Sequence, residues 1–478
     1  MTQSKEKAGN LEVRPPIVVV MGHVDHGKTT LLDYIRKTSI AEREAGGITQ
    51  SIGAYEVLHN DKKITFIDTP GHEAFSKMRA RGATVADIAV LVIAADDGVK
   101  DQTKEAIKIL KESETPFVVA ITKVDKNNAD IEKAKSQLMT EGIILEGYGG
   151  DVSWQAVNSK SGQGINELLD LILLHAEVEG YTYDPETPAT GYVIEAERDN
   201  RRGATATLII KNGTLREGDE IKTPSIKGKV KILENFLGEK VKELKPCAPA
   251  LIIGLPDLAK AGEKFVTGDL EIAEEKDAAG KIMSEMTPDM LPVVLKADVA
   301  GSLEALTQII EALEIENKKV KIIHASVGEV TDGDVKAVIS LKAPIIVFRT
   351  KVNKAAESLA RAQGVRIFSS EIIYELIKLL EEYFEKEYGK HVVAELEVLK
   401  TFGTKEKCQV VGGKVVKGVL KANIPVEIKR GEEVIGTGKI LNLQEEKKDV
   451  REVCEGNECG MLCEATTEVK PGDHLVMY

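Results

Sequence analysis

Apolar residues fall along this chain in distinct rhythms, and each predicts a different kind of structure. Over the first third, unbroken apolar runs of strand length (residues 17–21, 64–67, 88–94 and 117–122) alternate with helical spacing from Lys28, over 102–113 and over 165–177. Unbroken runs between helices read as strands buried on both faces of a parallel sheet. Asp184-Pro185 and Thr187-Pro188 then mark a linker over 181–190. From Gly191 short β runs follow at 192–196, 204–210, 230–233 and 250–253, with turns at 200–203, Asn212-Gly213 and Gly218-Asp219. That pattern predicts a small closed barrel over about 183–270.

Strand–helix alternation returns further on. Strands are expected at 292–296, 320–325, 345–348 and 365–367, and helices at 303–313, 334–340 and 355–363. This predicts a small parallel α/β sandwich. It carries neither a phosphate loop nor clustered acid–base groups, so it reads as a spacer. Over 370–390, Ile372, Ile373, Leu376, Leu379, Leu380, Tyr383 and Phe384 recur at helical spacing, with Ser370 as N-cap and Gly389 as terminator. The barrel grammar then repeats, residues 416–424 resembling 211–219 and 471–473 resembling 261–263.

Length and charge narrow the function. The 478 residues suggest three or four domains. No run of 18 apolar residues occurs, which excludes a membrane-spanning helix. The polar start, residues 1–10, has no apolar core of a secretory signal. Five cysteines are too few for a disulfide scaffold, so a cytoplasmic location is expected. A net charge of −13 excludes a nonspecific nucleic-acid coat and leaves room for a local RNA contact held by shape and a few placed residues.

The first strand runs into Gly22-His23-Val24-Asp25-His26-Gly27-Lys28-Thr29-Thr30, the spacing of a phosphate-binding loop between strand and helix. Its glycines let backbone N–H groups turn toward phosphate oxygens, and the helix N-terminus adds its dipole. Lys28 is expected on the β- and γ-phosphates and Thr29 on Mg²⁺. The second strand ends in Asp68-Thr69-Pro70-Gly71-His72. Asp68 there suits Mg²⁺, Gly71 suits a backbone donor to the γ-phosphate, and His72 is placed to orient the attacking water. The flexible Gly46-Gly47-Ile48-Thr49 between them suits a loop that closes on Mg²⁺ through Thr49. Further on, Thr122-Lys123-Val124-Asp125 offers a carboxylate that can accept from N1 and N2 of guanine, which adenine cannot match. Asn158-Ser159-Lys160 can cover guanine O6 with backbone N–H groups.

These blocks together resemble the translational GTPases. More narrowly, Arg14-Pro15-Pro16, His72-Glu73-Ala74-Phe75, residues 296–302, Val327-Gly328-Glu329-Val330 and Glu458-Cys459-Gly460 resemble the bacterial translation initiation factor two family, in order over 13–478. The resemblance implies GTP with Mg²⁺, water as nucleophile, both ribosomal subunits and formylmethionyl initiator tRNA as partners, no membrane, and a monomer off the ribosome. It assigns His72 to water activation on the ribosome, and Thr49, with Asp68 and Gly71, to the nucleotide switch. It implies that the last barrel holds the formylmethionyl end of the tRNA, at positions matching Phe402, Gly412, Arg430, Glu458, Cys459 and Gly460, with Arg430 or Lys448 on the RNA backbone. That barrel's segment, 391–478, has 13 Lys/Arg against 15 Asp/Glu, which fits an acylated RNA tip better than a duplex.

Four departures from the family pattern stand out. Thr122 occupies a position usually held by Asn, and its hydroxyl can make only part of an Asn amide's contacts. Asn158-Ser159 replaces Ser-Ala. Gly413 stands where the family often has Cys, which leaves the pocket wall altered or supplied by a neighbour such as Cys408. About a dozen residues precede the GTPase region, against the family's long charged extension, implying weaker auxiliary contacts to the small subunit.

The expected architecture is a multidomain α/β and β chain. It has a tail (1–12), a P-loop GTPase domain (13–182), a β-barrel (183–275), a small α/β sandwich (276–368), a long connecting helix (369–390) and a C-terminal β-barrel (391–478). The expected activity is ribosome-stimulated GTP hydrolysis in translation initiation. Two alternatives stay open, delivery of a different aminoacyl-tRNA and a non-hydrolytic, nucleotide-gated ribosome scaffold.

Overall fold

The computed structural model describes residues 11–37, 53–273, 290–315, 318–388, 392–405, 408–431, 433–445 and 448–478. Thr49 and Gly389 lie outside these residues. The chain divides into two compact units, Met1–Glu381 and Glu382–Tyr478.

The first unit opens on a six-stranded sheet. Its order is Gly53–His59, Lys62–Asp68, Ile17–Gly22, Ile88–Ala94, Phe117–Thr122 and Trp154–Ala156. Only the edge strand Gly53–His59 runs antiparallel. Every residue of Ile88–Ala94 is buried, as the unbroken apolar run requires of a strand covered on both faces. Helices Lys28–Arg36, Ser76–Val85, Asp101–Glu112, Ile131–Thr140 and Ile165–Glu179 follow individual strands. The segment expected as a linker is partly ordered, because Thr182–Tyr183 pairs with Glu12–Val13.

The next sheet has seven strands between Thr190 and Thr267. It closes on itself beyond strand Lys227–Lys229, where Val230 N donates to Asp219 O and Lys231 N to Ile253 O. A network around Asp87 joins this barrel to the six-stranded sheet. Asp87 takes both Arg14 Nη atoms, at 2.5 and 2.8 Å, Lys211 Nζ at 2.6 Å and Ile17 N at 2.8 Å. Arg14 also lies over the Tyr181 ring and beside the buried Cys247. Arg14-Pro15-Pro16 is therefore a structural joint. The paired cations hold the Asp87 carboxyl below its usual range against the opposing effect of burial.

A five-stranded sheet follows, in the order Glu314–Ile315, Lys318–Val327, Met290–Ala297, Ile345–Phe348 and Ile367–Ser370. All its pairings are parallel except that of the first strand. The helix expected over 303–313 begins earlier, at Ala300, where Glu195 of the preceding barrel accepts from Gly301 N at 2.9 Å. Glu195 is buried, and burial pushes its carboxyl up to about 7. Its value in the fold lies above the ordinary 4.5, so folding takes up a proton between these values and stability falls as pH rises through that window. Glu195→Gln is expected to raise the thermal unfolding midpoint of this unit at about pH 8 and to leave it nearly unchanged at about pH 4.5. Equal shifts at both pH values would contradict this.

The helix Ile373–Tyr388 spans about 24 Å at 1.5 Å per residue. Ile373, Leu376, Ile377, Leu380 and Phe384 form its buried stripe, while Leu379 is exposed. Ser370 is not the N-cap. The first helical bond runs from Leu376 N to Ile372 O, and Ser370 Oγ accepts from Ile372 N. Among the described residues no helix is long and apolar enough to cross a membrane.

In the second unit six strands form a ring: Ala394–Lys405, His474–Met477, Pro425–Arg430, Glu433–Glu445, Glu458–Ala465 and Cys408–Lys421. The pairing of Cys408–Lys421 with Ala394–Lys405 closes it. The interior is apolar, from Leu396 and Val411 to Met461, Cys463 and Leu475.

Candidate functional site

Four chemistry-bearing segments emerge at the C-terminal ends of parallel strands of this sheet, which is where open α/β sheets bind ligands. They are the loop after Ile17–Gly22, Asp68 and the turn after it, Thr122–Asp125 after the fifth strand, and Asn158–Lys160 after the sixth.

The first loop is built around its glycines. Gly22 has φ +146°, and a Cβ there would lie 2.3 Å from Val92 O. Gly27, at φ +88°, leads into helix Lys28–Arg36, and Asp25 at φ 62° turns the exposed tip. Lys28 is 7% exposed, and its Nζ donates to Gly22 O at 2.9 Å and His23 O at 2.6 Å. Burial pushes the Lys28 ammonium down to about 8, against the pull of Asp68. Gly71 closes on the same ammonium, since a Cβ there would sit 2.3 Å from Nζ. Lys28, Asp68 and Gly71 thus share one space. Thr29 is half-buried and Thr30 exposed at the helix start.

Other members of the loop have structural partners. Val24 N donates to Gln102 Oε1 at 2.8 Å, so this amide is already committed. His26 is 1% exposed and lies 3.4 Å from Asp97, and burial pushes its imidazole down to about 4. Its side chain props the loop from behind, with the His23 ring packed edge-on against it.

Thr122 differs from expectation. Its hydroxyl donates to His26 O at 2.5 Å, bracing the phosphate loop, with Ile93 O 3.4 Å away. Thr122→Val keeps the shape and leaves a buried carbonyl short of a donor, which costs about 1–3 kcal/mol. GTP and GDP are expected to bind about 5–150-fold more weakly with guanine preference retained, checked by equilibrium titration with ATP as competitor.

Asp125 is exposed and held by no hydrogen bond among the described residues. Lys123, at φ 57°, lies 4.0 Å from Asp96, which Lys126 also pairs at 2.6 Å. Asn158 Oδ1 accepts from Lys160 N and Ser161 N, so its side chain shapes the loop, and Ser159 Oγ is buried without a partner. Asn158 N also donates to Gln163 O, so of the three backbone N–H groups expected on guanine O6 only that of Ser159 is uncommitted among the described residues.

His72 lies half-buried after Gly71. Burial, then Arg79, lowers its pKa. The fully buried Arg79 bonds Pro70 O at 3.1 Å and His72 O, and grips both Glu105 oxygens at 2.7 Å. The His72 ring packs on Tyr374, with Nδ1 3.0 Å from the phenol oxygen. Arg79, Gln102 and Tyr374 were absent from the sequence reading. No local spacing signals them, since each depends on a neighbour brought in by the fold.

On the C-terminal barrel the strand alternation sorts the expected residues. Gly412 and Gly460 are register partners with an outward aspect, and Phe402 lies beside Gly412, where a Cβ would meet its ring at 3.3 Å. Val410, paired to Phe402, is also exposed. Glu458 is exposed at the same strand's start, and Lys448 sits on a hairpin extending from the strand that pairs with Gly460. Cys459 points the other way. It belongs to the barrel interior, and burial pushes its thiol up to about 11. Arg430 is three strands round the ring from Gly412 and is paired to Asp473 at 2.7 and 2.9 Å, apart from the Phe402 group. Gly413 faces inward with no room for a side chain, because a Cβ would lie 2.4 Å from Leu396 Cδ2. Cys408, five residues along the strand or roughly 17 Å away, does not replace it.

A Gly-x-x-x-x-Gly-Lys-Thr loop between the strand Ile17–Gly22 and the helix Lys28–Arg36 of this sheet defines a P-loop nucleotide-binding domain. Residues 14–178 match the family model for the elongation factor Tu GTP binding domain, 188–268 that for elongation factor G domain 2, and 270–381 that for translation-initiation factor 2. The chain is 40% identical to a translation initiation factor IF-2 from Bacillus velezensis, over 100% of this chain and 70% of that one. It is 42% identical to one from Nitratiruptor, over 98% and 59%. Among solved structures, GDP-bound aIF5B from Aeropyrum pernix is similar at 28% identity and TM-score 0.45, covering 98% of this chain and 92% of that one. The chain belongs to the translation initiation factor IF-2 family, whose members are translational GTPases acting in initiation.

Proposed function

We propose that this protein secures formylmethionyl initiator tRNA on the small ribosomal subunit and promotes joining of the large subunit, with hydrolysis of GTP to GDP and phosphate driving release. The GTP would lie with its phosphates on the Gly22–Thr29 loop and its base between Lys123, Asp125 and the Ser159–Lys160 turn. Water attacks the γ-phosphorus, the bond to the β–γ bridging oxygen breaks, and its electron pair leaves on GDP. Lys28 and the loop amides stabilise charge developing on the phosphoryl oxygens. His72 orients the water once the ribosome has placed it. Thr29, Asp68 and Thr49 are hard oxygen donors that suit Mg²⁺, which would neutralise phosphate charge when bound.

The observation that carries the tRNA assignment is the outward shelf of Phe402, Val410, Gly412 and Gly460. Formylation removes the amine charge, so the methionyl end is neutral and partly apolar. A shelf with an exposed ring and two glycines admits close backbone approach by such a group, and Lys400, Lys414 and Lys448 on adjoining strands can meet RNA phosphates. Arg430, committed to Asp473, and Cys459, inside the barrel, have no part in it.

The test is protection of the aminoacyl ester. Purified protein is mixed with formylmethionyl initiator tRNA or with its unformylated form, and spontaneous ester hydrolysis is followed. Selective slowing for the formylated ester is expected. Equal slowing would indicate tRNA binding without formyl selection, and no slowing of either would overturn the assignment.

A further inference from the structure

The contact between His72 and Tyr374 joins the phosphate site to the helix that leaves the α/β sandwich, 302 residues along the chain. Their ring centroids lie 4.4 Å apart with a 32° tilt, and the phenol oxygen is 3.0 Å from Nδ1. Both partners are held by their own elements. Tyr374 is in the first turn of Ile373–Tyr388, between the buried Ile373 and Leu376, and Ser370 ties that turn through Ile372 N and Glu375. On the other side, Arg79 fixes the His72 carbonyl.

The direction of the bond follows from the chemistry of the groups. A phenol is a better donor than acceptor, and burial raises the Tyr374 pKa and so keeps it protonated. The groups acting on His72 are Arg79, Glu73 and His23, and burial with Arg79 favours the neutral ring. Tyr374 therefore donates to Nδ1, which puts the imidazole proton on Nε2. In that state neither ring nitrogen has a lone pair left to accept a proton from water.

We propose that Tyr374 is a latch on His72, a positioning residue that occupies the ring's acceptor nitrogen until the helix bearing it shifts. This rests on the reading of His72 as the group that orients water. The latch makes the ribosome-free protein a slow hydrolase even with its phosphate site intact. It also makes the start of the long helix an input to the chemistry.

Tyr374→Phe tests this in the full chain. It keeps the ring packing and removes only the hydroxyl, at a residue 43% exposed, where folding is not at stake. Ribosome-free GTP turnover is expected to rise on the order of fivefold, the worth of one hydrogen bond. The His72 imidazole, followed by NMR, is expected to titrate at higher pH because its neutral form has lost a donor. Unchanged or reduced turnover would overturn the latch, whether or not the titration moves. The double variant H72A/Y374F separates the latch from the reading beneath it. The gain must vanish there, and a gain that persists would show that Tyr374 acts elsewhere. If H72A alone keeps wild-type turnover on the ribosome, the role of His72 fails, and an upward titration shift in Y374F would then confirm the bond without the gating.

Discussion

Lys28→Ala is expected to reduce GTP turnover by at least ~10²–10³-fold, the usual loss when one preorganised stabiliser of transition-state charge is removed. Lys28 Nζ is the cation that lies against Gly22 O, His23 O and Gly71. No neighbour can replace it. The cations at the guanine end, Lys123 and Lys126, are drawn to Asp96, and Arg79 is committed to Glu105. Affinity should fall as well as rate, because the charge meets both ground-state and transition-state phosphate. A pH signature separates this from misfolding. Burial places the free ammonium at about 8, so half of it is uncharged at that pH unless phosphate restores the proton. GTP affinity of the unaltered protein is therefore expected to decline as pH rises through about 8, and that slope should be absent in Lys28→Ala. A slope of equal size in both proteins would assign the titration to another group. Equilibrium titrations across the range, with circular dichroism as a folding control, decide it.

The nucleotide site was legible because its information is local. Gly22 to Thr29 is one loop, its strand and helix are its immediate flanks, and Asp68 and Asp125 stand at or just beyond strand ends that the apolar runs already mark. Parallel strands then bring their C-terminal ends together without further instruction. What sequence could not supply was the use each polar group makes of distant partners. Thr122 looked like a weakened base contact, yet its hydroxyl braces the carbonyl of His26, 96 residues away. Val24 looked like a phosphate donor, yet Gln102 occupies its N–H.

The C-terminal barrel shows a different limit. Cys459 and Gly460 were grouped as one motif, although adjacent residues of a strand face opposite sides. Period-two alternation puts the thiol inside when Gly460 is outside. Gly413 was not readable in that way. Its missing side chain looked like a lost pocket wall, but Leu396 Cδ2 and the carbonyl of Glu397 fill the space. Arg430 resembled an RNA contact until the fold brought the buried Asp473 to it.

His72→Ala is expected to separate catalysis from binding, in contrast to Lys28→Ala. The His72 ring touches Tyr374, not the phosphate loop carbonyls, and the loop around it is fixed through backbone by Arg79. Truncation therefore leaves Pro70, Gly71 and the Arg79–Glu105 pair in place. GTP affinity should stay within about twofold, since no direct nucleotide contact is removed. Ribosome-stimulated turnover should fall ~10²–10⁴-fold, the range for losing a positioned proton-transfer or water-orienting group. The pH dependence should follow the ring's environment. Burial and Arg79 lower its pKa below the ordinary 6.5 in the ribosome-free protein, so turnover without ribosomes should show no inflection from His72 above that value. Single-turnover hydrolysis with saturating ribosomes measures the chemical step apart from release. A His72→Ala protein that hydrolyses GTP at the unaltered rate under those conditions would remove His72 from the mechanism, and the water would then have to be oriented by backbone or by the ribosome itself.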